Sequence, residues 1–387
     1  MERRLVRTKA SGSTGRALAA GVALALMATG CRPEGGRTGG KAGMGPRDSG
    51  GWEEVRLGTD AGFSGLHFVD AEVGWIVGGS PLVRGGIVGR TEDGGKTWRY
   101  RTGPGPGGPT ASLNAVHAFD RKRACVAGDR GALLTFDGGE SWRMPREGAG
   151  VGSRLFGLCF LDEREGWAAG PAEVLHTIDG GLTWTRLGGK SSAGGDIGGR
   201  AIRFVDPLNG WLAGQHARLW RTRDGGETWA RVPVPLSAKA AAPPPYLFGL
   251  TWLGISQGWI VGESGTILRT TDGGGSWSLQ IMGTGEAFLT AVQFVDSQNG
   301  WITGFLPNRG ESIVWHTSDA GTTWSEERRL EGEELRALQM IDAETGWAVG
   351  DRVRTQPQKM LRRLRREARS SVGLLPLRIA RLVLKTD

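Results

Sequence analysis

The chain has 387 residues with 67 glycines, 16 tryptophans, three cysteines and a formal net charge of +8. Three cysteines exclude a disulfide-stapled scaffold, and five scattered histidines form no metal-ligand spacing, so neither a metal nor a cofactor is expected. The charge comes from the ends: residues 1–31 carry +4 and residues 352–387 carry +9, which leaves −5 for residues 32–351. A mildly acidic body is not built for a polyanion, so no nucleic-acid partner is expected.

In chain order, residues 1–31 have the pattern of an export leader. Arg3, Arg4, Arg7, Lys9 and Arg16 precede an apolar run from Ala17 to Ala28 that is too short to span a bilayer. The run ends Ala28-Thr29-Gly30-Cys31. This resembles a bacterial lipoprotein cleavage box with Ala in the first position, so Cys31 is the expected lipidated first residue. Residues 32–50, rich in Gly, Arg, Lys and Pro, are expected to form a flexible tether.

From residue 51 to about 355 one pattern recurs. Thr-x-Asp, a small residue, Gly-x, Thr or Ser, then Trp occurs six times, with aspartates Asp93, Asp137, Asp179, Asp224, Asp272 and Asp319 spaced by 44, 42, 45, 48 and 47 residues. Glycines after the Asp supply positive φ for a tight turn, and the carboxylate can accept backbone N–H groups a few residues on. Ahead of each turn stands Gly-Trp (Gly74, Gly166, Gly210, Gly258, Gly300, Gly346), degenerate as Ala124-Cys125 in the second unit. Ahead of that lies an apolar strand, usually ending in Asp. Seven units of four short strands at this period predict an all-β, seven-bladed β-propeller. The tryptophans all fall in or beside this pattern, as packing residues.

The seventh unit breaks off after Gly350-Asp351. Gly51-Trp52-Glu53-Glu54-Val55-Arg56-Leu57 has the look of a fourth strand, which predicts that the N-terminal strand closes the last blade. The third strand of that blade has no obvious source. Residues 356–387 form a basic, low-complexity tail. It is either an amphipathic helix lying on an anionic surface or the product of a slipped reading frame near codon 352. Cys125 and Cys159, in adjacent units, are expected to be buried free thiols, with a disulfide as the alternative.

The Asp turns resemble the Asp-box repeats of sialidases, sortilin-type receptors and xyloglucanases. The sequence Phe204-Val205-Asp206, Gly210-Trp211 and Thr222–Trp229 is similar to the propeller family of photosystem II assembly and stability factors. That resemblance implies a non-catalytic, exported or membrane-associated scaffold that binds a protein partner in the cell envelope, anchored through its lipid. In the usual strand order the Asp turns lie on the face opposite the entry to the innermost strands, which gives them a structural role. A column of small residues (Gly65, Ala115, Gly157, Ala201, Gly249, Ala291, Ala337) suggests crowding near the axis. The residues just before them put Phe156, Arg200, Phe248 and Arg336 at the channel mouth as candidate partner-binding residues. A polar column (His67, His117, Cys159, Arg203, Thr251, Gln293, Gln339) is expected to be a solvated channel wall. The competing reading is a sialidase-like glycosidase or glycan binder, with Tyr246 near Arg200, Arg336 and Glu263 as its candidate centre.

Overall fold

The computed structural model describes residues 4–8, 52–80, 85–102, 111–146, 152–187, 197–235 and 244–352. Cys31, the proposed tether and the basic tail lie outside them. The described strands form seven antiparallel sheets. Their innermost strands contact one another in cyclic order, Glu333–Met340 meeting Gly62–Phe68. This is the seven-bladed propeller that the repeat predicts.

Blade three shows the plan: Gly157–Phe160, Gly166–Ala169, Val174–Thr177 and Thr185–Arg186, paired in that order. Blade two has three strands and a single bridge, Leu134 to Arg143, in place of the fourth. The glycine of each Gly-Trp pair is a packing requirement. A Cβ at Gly166 would sit 2.3 Å from the Phe160 ring, and one at Gly210 would sit 2.6 Å from the Phe204 ring, because an aromatic at the end of the first strand lies over that glycine; in blade seven Met340 takes its place over Gly346. Blade two carries the compensating pair: Ala118 replaces the aromatic, and Ala124 then replaces the glycine.

The tryptophan of that pair makes the seam to the next blade. Trp167 stacks on Phe204 at 3.7 Å, Trp259 on Phe294 at 3.6 Å and Trp347 on Phe68 at 3.6 Å. Such near-parallel, face-to-face stacks of large rings bury apolar area and fix blade orientation together. No tryptophan is exposed.

Each of the six Asp turns is closed from inside. In blade four, the Thr222 hydroxyl donates to Asp224 Oδ1 at 2.7 Å, Thr228 N–H donates to the same oxygen at 3.0 Å, and the Thr228 hydroxyl donates to Oδ2 at 2.6 Å. The same bonds recur around Asp93, Asp137, Asp179, Asp272 and Asp319. These bonds hold the Asp137 carboxyl down at about 2, with the Ser141 hydroxyl the largest cause.

Blade seven closes the ring in a way that the sequence reading left open. Its sheet runs Glu333–Met340, Gly346–Arg352, Arg4–Thr8, Trp52–Arg56. The Trp52 strand is outermost, as predicted. The unaccounted third strand is Arg4–Thr8, which lies inside the segment read as a leader.

Candidate functional site

Which face carries the candidate residues follows from the loops. The loop between first and second strands touches the Asp turn of its own blade, as in Gly94 N–H to Glu72 O at 2.8 Å and Gly180 N–H to Arg164 O at 2.8 Å. The chain entering a first strand touches the loop between second and third strands instead, as in Glu263 N–H to Tyr246 O at 2.9 Å. The Asp turns and the entry residues are therefore on opposite faces.

At the entry face every first strand carries an extra residue. The ladders shift register between Phe63 and Gly65, Leu113 and Ala115, Leu247 and Gly249, Leu289 and Ala291, and Leu335 and Ala337. The skipped residues are Ser64, Asn114, Phe248, Thr290 and Arg336. In blades three and four Phe156 and Arg200 do the same: their N–H groups donate to Ala169 O at 2.7 Å and Ala213 O at 2.8 Å, the residues already paired with Gly157 and Ala201. A bulge places two residues opposite one and re-aims a side chain. One bulge per blade thus builds the ring of side chains around the axis.

The small column behind it is crowded, as expected. A Cβ at Gly157 would come within 2.9 Å of Arg200 O, and one at Gly249 within 3.0 Å of Ala291 Cα, both in the next blade.

Five of the seven bulge residues fall into two kinds. Asn114 Nδ2 donates to Leu155 O at 2.8 Å and Thr290 Oγ1 donates to Leu335 O at 2.8 Å, each fastening its blade to the next. Phe156, Arg200 and Phe248 form one stack, with the guanidinium carbon of Arg200 5.7 Å from the first ring centroid and 5.4 Å from the second. Arg154 extends the stack beyond Phe156 at 5.1 Å, and Tyr246 extends it beyond Phe248 at 6.1 Å. Neither Arg154 nor Tyr246 lies in the repeat column, and sequence reasoning missed them as members of this stack.

Arg154 is held by Asp129 at 2.9 Å, and Arg336 faces Glu334 at 3.3 Å and Asp351 at 3.8 Å. Arg200 has no carboxylate partner among the described residues. Burial of its guanidinium faces pushes its pKa down, and the charges of Arg336 and Arg154 push the same way against Glu334. The side chain as a whole stays exposed, so the desolvation is confined to the faces that the rings cover. Arg336 is coupled to Arg200 by charge and stands outside the stack. A cation with two aromatic flanks and an open edge suits a carboxylate or a row of peptide carbonyls.

Tyr246 lies on this face, as the competing reading required. The acid that reading pairs with it, Glu263, accepts the Tyr246 backbone N–H through Oε2 at 3.0 Å. Tyr100 donates its hydroxyl to Leu57 O at 2.6 Å and is raised in pKa by burial. Beside Tyr246, His216 and Ala217 take consecutive left-handed conformations, φ 54° and 51°, where non-glycine residues carry strain. Ala217 N–H is tied to Pro245 O at 2.7 Å, which fixes this corner of the rim.

The polar column is a clasp rather than a solvated wall. Gln339 accepts from Phe68 N–H at 2.6 Å and donates to Phe68 O at 2.9 Å, so blade seven grips the backbone of blade one. Gln293 grips Met340 in the same way, at 2.7 and 2.8 Å. His67 Nδ1 accepts from Ala118 N–H at 2.6 Å, and Cys159 Sγ accepts from Phe204 N–H at 3.3 Å. Their size and polarity match the N–H and C=O groups of the neighbouring first strand, which the blade's own ladder leaves unpaired on that side. Arg203 alone of the column is exposed. Cys125 and Cys159 are buried free thiols, the first occupying the tryptophan position of blade two. A groove of about 510 Å³ lined by Arg221, Asp224 and Trp277 opens between blades four and five beside the Asp turns, away from the channel mouth.

The sequence profile described as photosynthesis system II assembly factor YCF48 matches residues 46–144, 199–278 and 245–345. The photosystem II assembly lipoprotein Ycf48 of Synechococcus sp. (strain CC9902) is 26% identical over 179 residues, spanning 46% of this chain and 39% of the relative's own length. Among solved structures, one described as YCF48 bound to D1 peptide superposes with a TM-score of 0.60 at 18% identity, covering 78% of this chain and 92% of the other. YCF48 from Cyanidioschyzon merolae gives 0.56 at 16% identity, covering 78% and 98%. A streptogramin B lyase gives 0.53 at 14% identity, covering 75% and 94%, so the fold by itself selects no chemistry. With the profile matched across blades one, two, four, five and six, the chain belongs to the YCF48 family of photosystem II assembly factors.

Proposed function

We propose that the protein is a non-catalytic assembly factor that holds a segment of a protein partner at the entry face of its ring. The observation that carries this reading is Arg200, flanked by Phe156 and Phe248 with no acid of its own. Aromatic and Arg side chains at the centre of a patch dominate protein interfaces. The family relative solved with a D1 peptide is, in its own description, a peptide binder, which supports a peptide or protein ligand here. Arg336 lies at the edge of the same surface, where Glu334 and Asp351 offset its charge, which leaves Arg200 as the cation open to a ligand. Export and lipid attachment at Cys31 belong to the same reading, supported by the lipoprotein name of the cyanobacterial relative. The protein would then act in a bacterial envelope, held to a membrane by its lipid.

The test is a pair of photo-crosslinkers, one at Phe156 on the entry face and one at Lys96 in an Asp turn. A discrete crosslinked partner is expected from the first position alone. Arg200→Ala and Phe248→Ala should each weaken binding of that partner by roughly 1–3 kcal/mol with folding intact. Crosslinks from Lys96 alone, or unchanged binding in the double variant, would put the contact elsewhere.

A further inference from the structure

The strand Arg4–Thr8 fits its slot residue by residue. Leu5-Val6-Arg7-Thr8 aligns with Leu219-Trp220-Arg221-Thr222 of blade four and Ile267-Leu268-Arg269-Thr270 of blade five. Arg7 stands opposite Trp347 as Arg221 stands opposite Trp211 and Arg269 opposite Trp259. On its other side it faces Glu53, the residue after Trp52, as Arg90 faces Arg99, the residue after Trp98. The segment is a third strand of the repeat carried at the opposite end of the chain.

It is also packed as one. Leu5 and Val6 are 0% and 1% exposed, Leu5 in the core shared with blade one and Val6 in the core shared with blade six. Arg7 forms an ion pair with Glu53 and reaches Gly94 O in the Asp turn of blade one. The Trp52–Arg56 strand has no other neighbour in its sheet.

The outer wall of this slot is fastened independently of the strand that fills it. Trp167 and Trp259 donate their indole N–H to the next blade's Asp turn, at Gly225 O and Ala320 O. Trp301, which faces blade seven, donates instead to the Glu327 carboxylate at 3.2 Å, and the same oxygen accepts the Trp52 indole at 2.9 Å. Arg328 adds a bond to Glu54 at 2.8 Å. Blade six therefore pins the Trp52 strand through side chains alone, and the slot keeps both walls if its filling leaves.

We propose that blade seven is a strand-acceptor site whose ligand is the chain's own leader. The groove between Gly346–Arg352 and Trp52–Arg56 takes an extended segment of pattern apolar-apolar-Arg-Thr, and Arg4–Thr8 fills it within the same molecule. Cleavage ahead of Cys31 cuts that strand from the ring, so lipid processing and covalent closure exclude each other in one molecule. A processed ring holds the leader peptide only non-covalently, and releasing it exposes two unpaired strand edges and two apolar half-cores. Pairing an added strand with such edges supplies backbone hydrogen bonds, and side-chain pockets supply the selectivity. This inference does not depend on the entry face or its partner.

Two measurements on the full chain test it. In the double variant Arg7→Cys/Glu53→Cys, whose positions face each other, mild oxidation should link residues 7 and 53 within the chain. Arg7→Cys/Glu54→Cys should stay largely unlinked, because neighbouring strand positions point to opposite faces. Equal linking in both, or none in either, would overturn closure by Arg4–Thr8. In the second measurement a protease site is placed between residues 15 and 31, and the folded protein is nicked. The leader should then remain bound through gel filtration or exchange with a fluorescent peptide of residues 2–14. The same peptide carrying Leu5→Asp should bind at least tenfold more weakly, and the unnicked chain should not bind the wild-type peptide. A nicked ring that sheds its leader, keeps its melting temperature and binds no labelled peptide would overturn the proposal.

Discussion

Replacing Asp224 by Ala removes the centre of one Asp turn and leaves its surroundings in place. The carboxylate accepts three bonds, from the Thr222 hydroxyl, the Thr228 N–H and the Thr228 hydroxyl. The two Thr228 donors are exposed and turn to water, so their loss costs little. Thr222 is 1% exposed, and its hydroxyl keeps the Gly226 N–H as a donor but loses its only acceptor among the described residues. One buried hydroxyl left unsatisfied, together with two exposed charge-assisted bonds exchanged for water, amounts to about 2 kcal/mol. For a chain of this size that lowers the melting temperature by about 4 °C. Thermal unfolding followed by circular dichroism measures the shift, and Asp224→Asn, which keeps one acceptor oxygen, should fall between the two. Partner binding should stay within twofold, since the turn lies on the face opposite Arg200. An unchanged melting temperature, or lost binding with stability intact, would refute the division into a structural face and a recognition face.

Three further outcomes are expected. Burial with the Arg203 charge lowers the pKa of His67 to about 4, and His117 is lowered through burial, His67 and Arg203. The unfolded chain then binds protons that the folded one refuses, so stability is full above about pH 6.5 and falls as the pH drops toward about 4, by roughly 3 kcal/mol for His67. Urea unfolding at pH 7.5 and 5 reads this, and a His67→Gln profile as steep as wild type would refute the assignment. Gly210→Ala places a Cβ 2.6 Å from the Phe204 ring and should cost about 1–3 kcal/mol in denaturant unfolding, whereas Ala124→Gly, which removes no such contact, should cost about 1 kcal/mol or less. Cys31→Ser should abolish metabolic lipid labelling; labelled Cys31→Ser protein would assign the lipid to another residue.

Most of the fold was legible because the repeat repeats its turns. Thr-x-Asp-x-Gly and Gly-Trp each encode a local geometry that needs no partner blade to be recognised, and six copies fix the period. The third strand of blade seven was not legible for the opposite reason. Leu5-Val6-Arg7-Thr8 is four residues long, and its arginine also fits the basic start of an export leader. Only pairing with Trp347 and Glu53 distinguishes the two uses. At the rim, counting back from the small column placed Phe156, Arg200, Phe248 and Arg336 on the face opposite the Asp turns, where the structure has them. It did not show that Arg336 is occupied by Glu334, or that Arg154 and Tyr246 join the stack, because both lie in entry segments outside the repeat. The polar column was misread because glutamine and histidine beside an axis look the same in sequence whether they face water or a neighbouring backbone.

The two ends of each blade solve different problems with the same strand set. At the Asp-turn end, the six turn carboxylates and the Thr or Ser hydroxyls beside them find their partners within a few residues, so little of the turn itself is left over for a ligand. At the entry end, a bulge adds one residue whose backbone is satisfied by the ladder and whose side chain is free to vary. Where that residue is Asn114 or Thr290 it is spent on the next blade. Where it is Phe156, Arg200 or Phe248 it turns outward and meets two others of its kind. Substituting bulge residues can therefore change the surface that the entry face presents, while clasps such as Gln339 on Phe68 and stacks such as Trp167 on Phe204 hold the ring. The position of Arg200 between two rings, without an acid, follows from three consecutive odd choices in that one variable column, and the ring's own stability gives no reason for them.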